Sequence, residues 1–455
     1  MKKLISTFLL CSILISSVSC SASIVPTPEP IENVDPTQPV SSPTAMPRPS
    51  LDEIQSASSL KERQTLDSDL ADYSPVAAKM NAFGLDLFHL LSAQQEGNLF
   101  FSPYSISLAL SMTLAGAAGN TEQEMAQVLH YDLPQNQIHT QINGLDQSLY
   151  IIPEWLKDQE SSFQLNVANA LWGQSDYAFK TSFLDLLAES YGAGMQLVDF
   201  KTANEPARLM INEWVEDQTE EKIKDLIPQG ALNELTRLVL TNAIYFNASW
   251  QDEFVKDLTK PADFYINEKT KVTVPMMEIH NNFRFSKSDD VQMVEIPYLN
   301  SRYSMVLLMP LSSDLSEYGQ GMDLDSLTQS IEAIQNGQLI LKMPKFEFDS
   351  SFSVSSALQD LGMISPFSPT DADFSGMYEP GSDPLFISNV IHKAFVAVDE
   401  EGTEAAAATA VIMEATSAMP EEEPVLMVFD HPFIFLIRDS ESGLILFMGN
   451  MINPE

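Results

Sequence analysis

Cysteine is almost absent from this chain. Of 455 residues only Cys11 and Cys20 are cysteine, and both lie in the first twenty. The remainder can form no disulfide, offers no thiol nucleophile and holds no cysteine zinc site. An exported chain built this way draws its stability from its core, and this one is long enough to have a large one. Positive charge is scarce too: 24 Lys and Arg stand against 63 Asp and Glu, a formal net charge of −39. Phosphate contacts need clustered cations, so no nucleic-acid partner is expected. The plain consequence of the acidity is solubility, with weak steering of basic partners as the other reading. The six histidines are scattered without an H-E-x-x-H pair, and no phosphate-loop or dinucleotide fingerprint occurs. Neither metal nor cofactor is expected. The G-x-S-x-G elbow of many hydrolases is missing as well.

What is present begins with a leader. Lys2 and Lys3 precede a mostly apolar run from Leu4 to Val18, which reads as an export signal, too short for a typical membrane span. It ends Ser17-Val18-Ser19-Cys20, which resembles a bacterial lipobox with Ser17 where Leu is usual. That pattern predicts lipidation of Cys20 and attachment to a membrane surface. The competing reading is cleavage near Ala22 and release. Residues 21–50 hold eight of the 27 prolines among Ser, Thr and Glu. Such composition buries too little to fold and stays extended, so 21–73 reads as a disordered linker, with 51–73 a frayed lead-in.

Folded sequence is expected from residue 74 to 455. Length alone suggests about two or three domains at ~150 residues each. No internal repeat and no Pro- or Gly-rich break follows residue 75, so one large domain is the better reading. Met80, Phe83, Leu87 and Leu90 recur at helical spacing within 76–92. Residues 102–116 read as a buried, Ser-rich helix, and 121–129 as a helix capped by Asn120 with Glu124 near capping-box distance. Further helices are expected at 181–191 and 203–219. Strands are expected at 238–246, 303–310, 338–346, 393–400, 425–439 and 444–452. Helices first and strands later indicate an α+β fold.

Several collinear segments carry a family resemblance. They are Asn98-Leu99-Phe100-Phe101-Ser102-Pro103-Tyr104-Ser105-Ile106; Leu240-Thr241-Asn242-Ala243-Ile244-Tyr245-Phe246 with Trp250 and Phe254; and Asn389-Val390-Ile391-His392-Lys393-Ala394 leading to Asp399-Glu400-Glu401-Gly402-Thr403-Glu404-Ala405-Ala406. Two more are Phe429-Asp430-His431-Pro432-Phe433-Ile434-Phe435 and Phe447-Met448-Gly449-Asn450. Together they span roughly 75–455 and resemble the serpins. The resemblance implies a large central sheet, two smaller sheets, about nine helices and an exposed reactive-centre loop. It implies a monomeric suicide inhibitor with a target protease as covalent partner, and the leader places it outside the cell. The protease cuts the loop, forms an acyl-enzyme, and is trapped when the loop inserts into the central sheet. Glu400, Glu401, Gly402, Thr403, Glu404 and Ala405 to Ala408 (Ala405, Ala406, Ala407, Ala408) resemble the hinge. Ser102, Ser105, Asn242 and His392 resemble the shutter beneath the parting strands, and Trp250 the breach where insertion starts.

The loop can be read for itself. From Thr403, alternate residues are Thr403, Ala405, Ala407, Thr409, Val411, Met413 and Ala415, none charged. Glu404 and Glu414 fall on the other face, so a period of two keeps charge out of a buried side. No proline occurs from 403 to 418, and every residue there can donate to a ladder. Blind to family, EAAAATAVIMEA reads instead as a helix. In the family's register the cut bond lies about fourteen residues beyond Gly402, at Thr416–Ser417, with bonds after Met413, Ala415 or Met419 as alternatives. No Lys or Arg occurs from 394 to 437. Elastase-, subtilisin- or chymotrypsin-like targets, or a promiscuous cysteine protease, fit better than trypsin-like ones. A carrier or chaperone without inhibitory activity is the rival reading, disfavoured by Thr403 and the alanine run. A hydrolase built on Ser102 or Ser105 with His392 is the other rival. Asn247-Ala248-Ser249 matches a glycosylation sequon by coincidence, given the leader.

Overall fold

The computed structural model describes residues 51, 54–65, 72–151, 163–299, 301–379, 381, 383–403 and 423–455. In chain order the first elements are β1 (Gln55–Ala57), α1 (Ser74–Gln94), β2 (Leu99–Phe101), α2 (Pro103–Leu114), α3 (Gly119–Val128) and α4 (Gln135–Leu149). Next come β3 (Phe163–Gln174), α5 (Thr181–Tyr191), β4 (Met195–Val198), α6 (Phe200–Gln218) and β5 (Leu238–Ser249). Then follow β6 (Lys260–Asn267), β7 (Thr270–Lys287), β8 (Val291–Pro297), β9 (Tyr303–Pro310), α7 (Leu315–Gln320), α8 (Leu324–Ala333), β10 (Gln335–Pro344) and β11 (Phe346–Ser353). The last are α9 (Ser355–Asp360), β12 (Ile387–Val398), β13 (Gly402–Thr403), β14 (Val425–Val428), β15 (Phe433–Asp439) and β16 (Ile445–Met451).

β5 is buried along nearly its whole length. A strand apolar on both sides belongs inside a covered sheet. It lies in one, of order β1-β4-β3-β5-β13-β12-β11. β3 runs antiparallel to β5, and β12 runs parallel to it. The second sheet has the order β14-β10-β7-β8-β9-β15-β16-β2, with β6 on β7. The two smaller sheets expected there run together as one hydrogen-bonded path. The cause is the 18-residue length of β7, which pairs with β10 over 276–285 and with β8 over 284–287.

Every residue of α2 is buried, as its apolar, Ser-rich sequence requires. It lies against β3 and β5 on one side and β16 on the other. On the opposite face of the first sheet, Phe200, Ile211 and Val215 of α6 pack over Trp172 of β3, Val239 and Ala243 of β5 and Ile391 of β12. The line where β5 meets β12 is thus covered on both sides.

The expected helices are found, with local differences. Ala118, not Asn120, precedes α3, and Asn120 donates instead to Glu124 Oε1 and Ser365 Oγ, both at 2.6 Å. Helix α6 kinks at Ala203 and carries Pro206 in its body, and its cap is Asp199, which accepts from Thr202 N–H. Residues 338–346 divide at Lys345 into β10 and β11, which belong to different sheets. Residues 425–439 divide around Asp430-His431-Pro432 into β14 and β15. Asn247 of the sequon lies within β5.

Composition places 54–65 in a linker, whereas this stretch lies on the body. Gln55–Ala57 pairs antiparallel with β4 as an extra edge strand. Arg63 Nε donates to Asn143 Oδ1 at 2.8 Å, and its Nη2 to Asp146 Oδ2 at 2.5 Å. The other oxygen of Asp146 accepts from the Tyr104 hydroxyl on α2. Asn143 Nδ2 in turn donates to Gln64 O at 2.9 Å. The local sequence is too polar to fold alone, and its partners on α4 and β4 are remote in the chain. Asp146 is buried while Arg63 is about a quarter exposed. Arg63→Ala leaves the buried Asp146 carboxylate with the Tyr104 hydroxyl but without its cation, a loss of about 3 kcal/mol at the low end for such breaks. Denaturant unfolding should register that loss, and an unchanged midpoint would mean the segment adds nothing to stability.

Candidate functional site

Two groups of polar side chains lie along the boundary between β5 and β12. The first sits where α2 begins. Ser102 caps α2, accepting from Ser105 N–H at 3.0 Å, and its own hydroxyl donates to Leu446 O at 2.6 Å. Its backbone N–H donates to His392 Nε2 at 3.2 Å. An N–H can only donate, so Nε2 is the bare nitrogen and Nδ1 carries the proton. That proton is directed at Asn242 Oδ1. Asn242 Nδ2 then donates to Ser105 Oγ and to Asn169 Oδ1, both at 2.6 Å. Asn169 closes the group by donating to Ser105 O at 2.9 Å. Ser102, Ser105, Asn242 and His392 are fully buried.

The structure thus brings these four residues together, as the sequence resemblance implies, and adds Asn169. The added residue has a weak signal, the one polar side chain in the run Val167-Ala168-Asn169-Ala170-Leu171-Trp172 of β3. The arrangement does not suit nucleophilic catalysis. The Ser102 hydroxyl is committed to a carbonyl, and His392 accepts from an amide rather than a hydroxyl. Within this group no base faces a nucleophile, which the chemistry requires.

The second group lies at the far end of β5. Here β12 turns through Asp399, whose carboxylate accepts from Glu401 N–H at 2.9 Å and Gly402 N–H at 3.2 Å. The chain then enters the sheet as β13. Gly402 pairs with Ser249 and Thr403 with Ala248 on β5, while Thr403 also pairs with Val398 on β12. Both pairings are antiparallel. A Cβ on Gly402 would lie 2.2 Å from Ala248 O, so only glycine fits. The Trp250 ring stacks on Tyr298 with centroids 4.6 Å apart, and its Nε1 donates to Asp399 O at 2.9 Å. Tyr298 and Thr403 share a hydroxyl–hydroxyl hydrogen bond of 2.7 Å.

Glu400 is buried beneath this turn. It accepts from Lys345 Nζ at 2.6 Å and from Thr259 Oγ1 at 2.8 Å. Burial alone would raise its pKa, but these bonds outweigh burial and hold the carboxyl below its ordinary value. Glu401 pairs with Lys256. The sequence reading missed Tyr298, Thr259 and Lys345, since nothing in their local pattern points to partners as remote as 400–403. Glu404, Ala405 to Ala408, and the Thr416–Ser417 bond lie outside the described residues, as does Cys20. Among the described residues no group of three His, Cys, Asp or Glu could hold a metal. No helix among them is long and apolar enough to cross a membrane.

Residues 78–454 match the family described as Serpin (serine protease inhibitor). The leukocyte elastase inhibitor of Sus scrofa is 40% identical over 389 residues, covering 83% of this chain and 99% of that protein. An uncharacterized serpin-like protein of Thermococcus kodakarensis is 36% identical over 449 residues, 99% of each chain. The crystal structure of tengpin, a thermophilic serpin in the native state, superposes with a TM-score of 0.77 at 25% identity, covering 88% of this chain and 100% of tengpin.

The first group carries a pH dependence. Burial lowers the pKa of His392 from 6.5 to about 3. Between those values the unfolded chain binds more protons than the folded one, so stability rises with pH there. The contribution is fully present above 6.5 and is lost as pH falls toward about 3. His139, lowered by burial to about 4, acts with the same sign. Thermal unfolding from about pH 8 to pH 4 should therefore show a falling midpoint. In His392→Gln the fall should be shallower, with only the share from His139 and other groups left. Equal slopes in the two proteins would refute a neutral, buried His392.

Proposed function

The chain belongs to the serpin family, and from that premise we propose that it is a suicide-substrate inhibitor of an elastase-, subtilisin- or chymotrypsin-like serine protease. The observation that carries this reading is β13. The start of the loop already occupies the gap between β5 and β12, antiparallel to both. Beyond it the two strands still pair with each other in parallel.

The register supports insertion in detail. Each residue further along the loop would move one residue back along β5 and one back along β12. Six residues beyond Thr403, Thr409 would come opposite Asn242, six before Ala248, and opposite His392, six before Val398. Asn242 and His392 already face each other across the strands. To admit the loop, β5 and β12 need only part, without sliding. In an inserted strand Thr409 would share a face with Thr403, so its hydroxyl would enter the group of Ser102, Ser105, Asn242 and His392. The charged Glu404 and Glu414 would take the other face.

Energetics favour the change. One parallel ladder would give way to two antiparallel ones, at a net ~1 kcal/mol per added hydrogen bond. The cut at Thr416–Ser417, or within the Met413–Met419 window, would leave small and apolar residues on the acyl side. That composition agrees with the name of the Sus scrofa relative, an elastase inhibitor. The protein would act as an extracellular monomer, held to a surface through lipid on Cys20, with the protease as its covalent partner. The leader and the proline-rich spacer support that placement.

Incubating the protein with a panel of elastase- and subtilisin-like proteases should give a covalent complex that survives SDS and boiling. Cleavage without complex for every protease would refute inhibition. Thr409→Arg should be cut at an undiminished rate yet form almost no complex, because it would bury a charge among Asn242 and His392. Full complex yield from that variant would refute the register.

A further inference from the structure

Thr403 is the first loop residue whose side chain is buried between β5 and β12, at 1% exposure. Beyond the backbone pairing with Ala248 and Val398, its side chain has one polar partner. Among the described residues, its hydroxyl bonds only to that of Tyr298, and the Tyr298 hydroxyl bonds only to it. The Tyr298 ring cannot drift, because it is stacked on Trp250, edge-on to Phe246 at 5.1 Å, and fully buried. The chain bridges Trp250 to Tyr298 through an isolated β pairing. The phenol is therefore a fixed point against which a loop residue is placed.

On the insertion reading given above, we infer that Tyr298 is a positioning residue for the loop. Its hydroxyl seats Thr403 in the sheet before any protease arrives and so sets the register of all that follows. A strand slipped by one residue exchanges its two faces. Here a slip would turn Glu404 and Glu414 toward the core and leave Thr409 outside the Asn242–His392 group. The alternation in the loop has value only if its first residue starts on the correct side. Backbone pairing alone does not decide this, because a ladder offers the same hydrogen bonds one residue later. A side-chain partner at one defined position does decide it. Gly402 adds a steric limit, since its contact with Ala248 O admits no other residue there.

The test removes each hydroxyl without changing shape, in Tyr298→Phe and in Thr403→Val, and retains it in Thr403→Ser. Either loss leaves one buried hydroxyl unmet, which shifts the seated-to-unseated equilibrium about ten-fold or more. Amide hydrogen exchange of the peptide around 399–404, in the full chain without protease, reads that equilibrium directly. Exchange should quicken about ten-fold in Tyr298→Phe and Thr403→Val and stay near the parent rate in Thr403→Ser. The stoichiometry of inhibition should rise severalfold in the first two variants only, with first cleavage no slower. Parent-like exchange in Thr403→Val would overturn the inference, since packing alone would then seat the residue. So would an unchanged stoichiometry in Tyr298→Phe. The exchange arm involves no protease, so it can fail while inhibition stands, and absence of any covalent complex would refute inhibition without touching the seating of Thr403.

Discussion

The parallel pairing of β5 with β12 is the interaction on which the rest depends. It joins strands that lie 150 positions apart in the sequence, residues 238–244 and 387–394. Parallel pairs are somewhat weaker per residue than antiparallel ones. The fold compensates by covering the seam on both faces, with α2 beneath and α6 above. It also bolts the seam internally through His392 and Asn242. A sheet closed along such a line is stable and still has an unused alternative, a strand antiparallel to both edges of the seam.

Among the described residues, Gly402 and Thr403 pair in that way. Glu400, Gly402 and Thr403 each meet a fixed partner at the end of the seam: Lys345 with Thr259, the Ala248 carbonyl, and Tyr298. The ion pair of Glu400 has one well-buried end, so its geometry matters more than its strength. It fixes where the turn lies, and hence where the loop begins. Lower along the seam, the hydrogen-bonded group at the start of α2 contains only neutral partners. A neutral histidine there needs no counter-ion, and a threonine hydroxyl could join such a group without introducing charge.

Much of this was legible beforehand. The apolar run of β5, the helix α2 and the alternation of the loop follow from residue type and period alone. The four residues under the seam were found through resemblance, since Ser102, Asn242 and His392 lie far apart in the chain. Helix α4 was equally legible, because its core residues, Ile138, Ile142, Leu145 and Leu149, recur at helical spacing. Strands β10 and β11 read as one run because a single residue, Lys345, separates two sheets, and no local pattern marks a change of sheet. The stretch 54–65 was misread for a different reason. Its stability comes from a charge on α4 and an edge on β4, and composition carries no trace of either.

The sequence by itself determined which residues can be buried and which cannot. It set the uncharged face of the loop, the confinement of cysteine to the first twenty residues, and the glycine at 402. Those are properties of side chains and spacing, and they hold in any arrangement. Only the tertiary structure decided what stands opposite what. It placed Thr403 against Tyr298, Asn242 against His392, and Arg63 against Asp146. Each pair joins residues separated by 83 positions or more, so its energy exists only once the sheets and helices have closed around it.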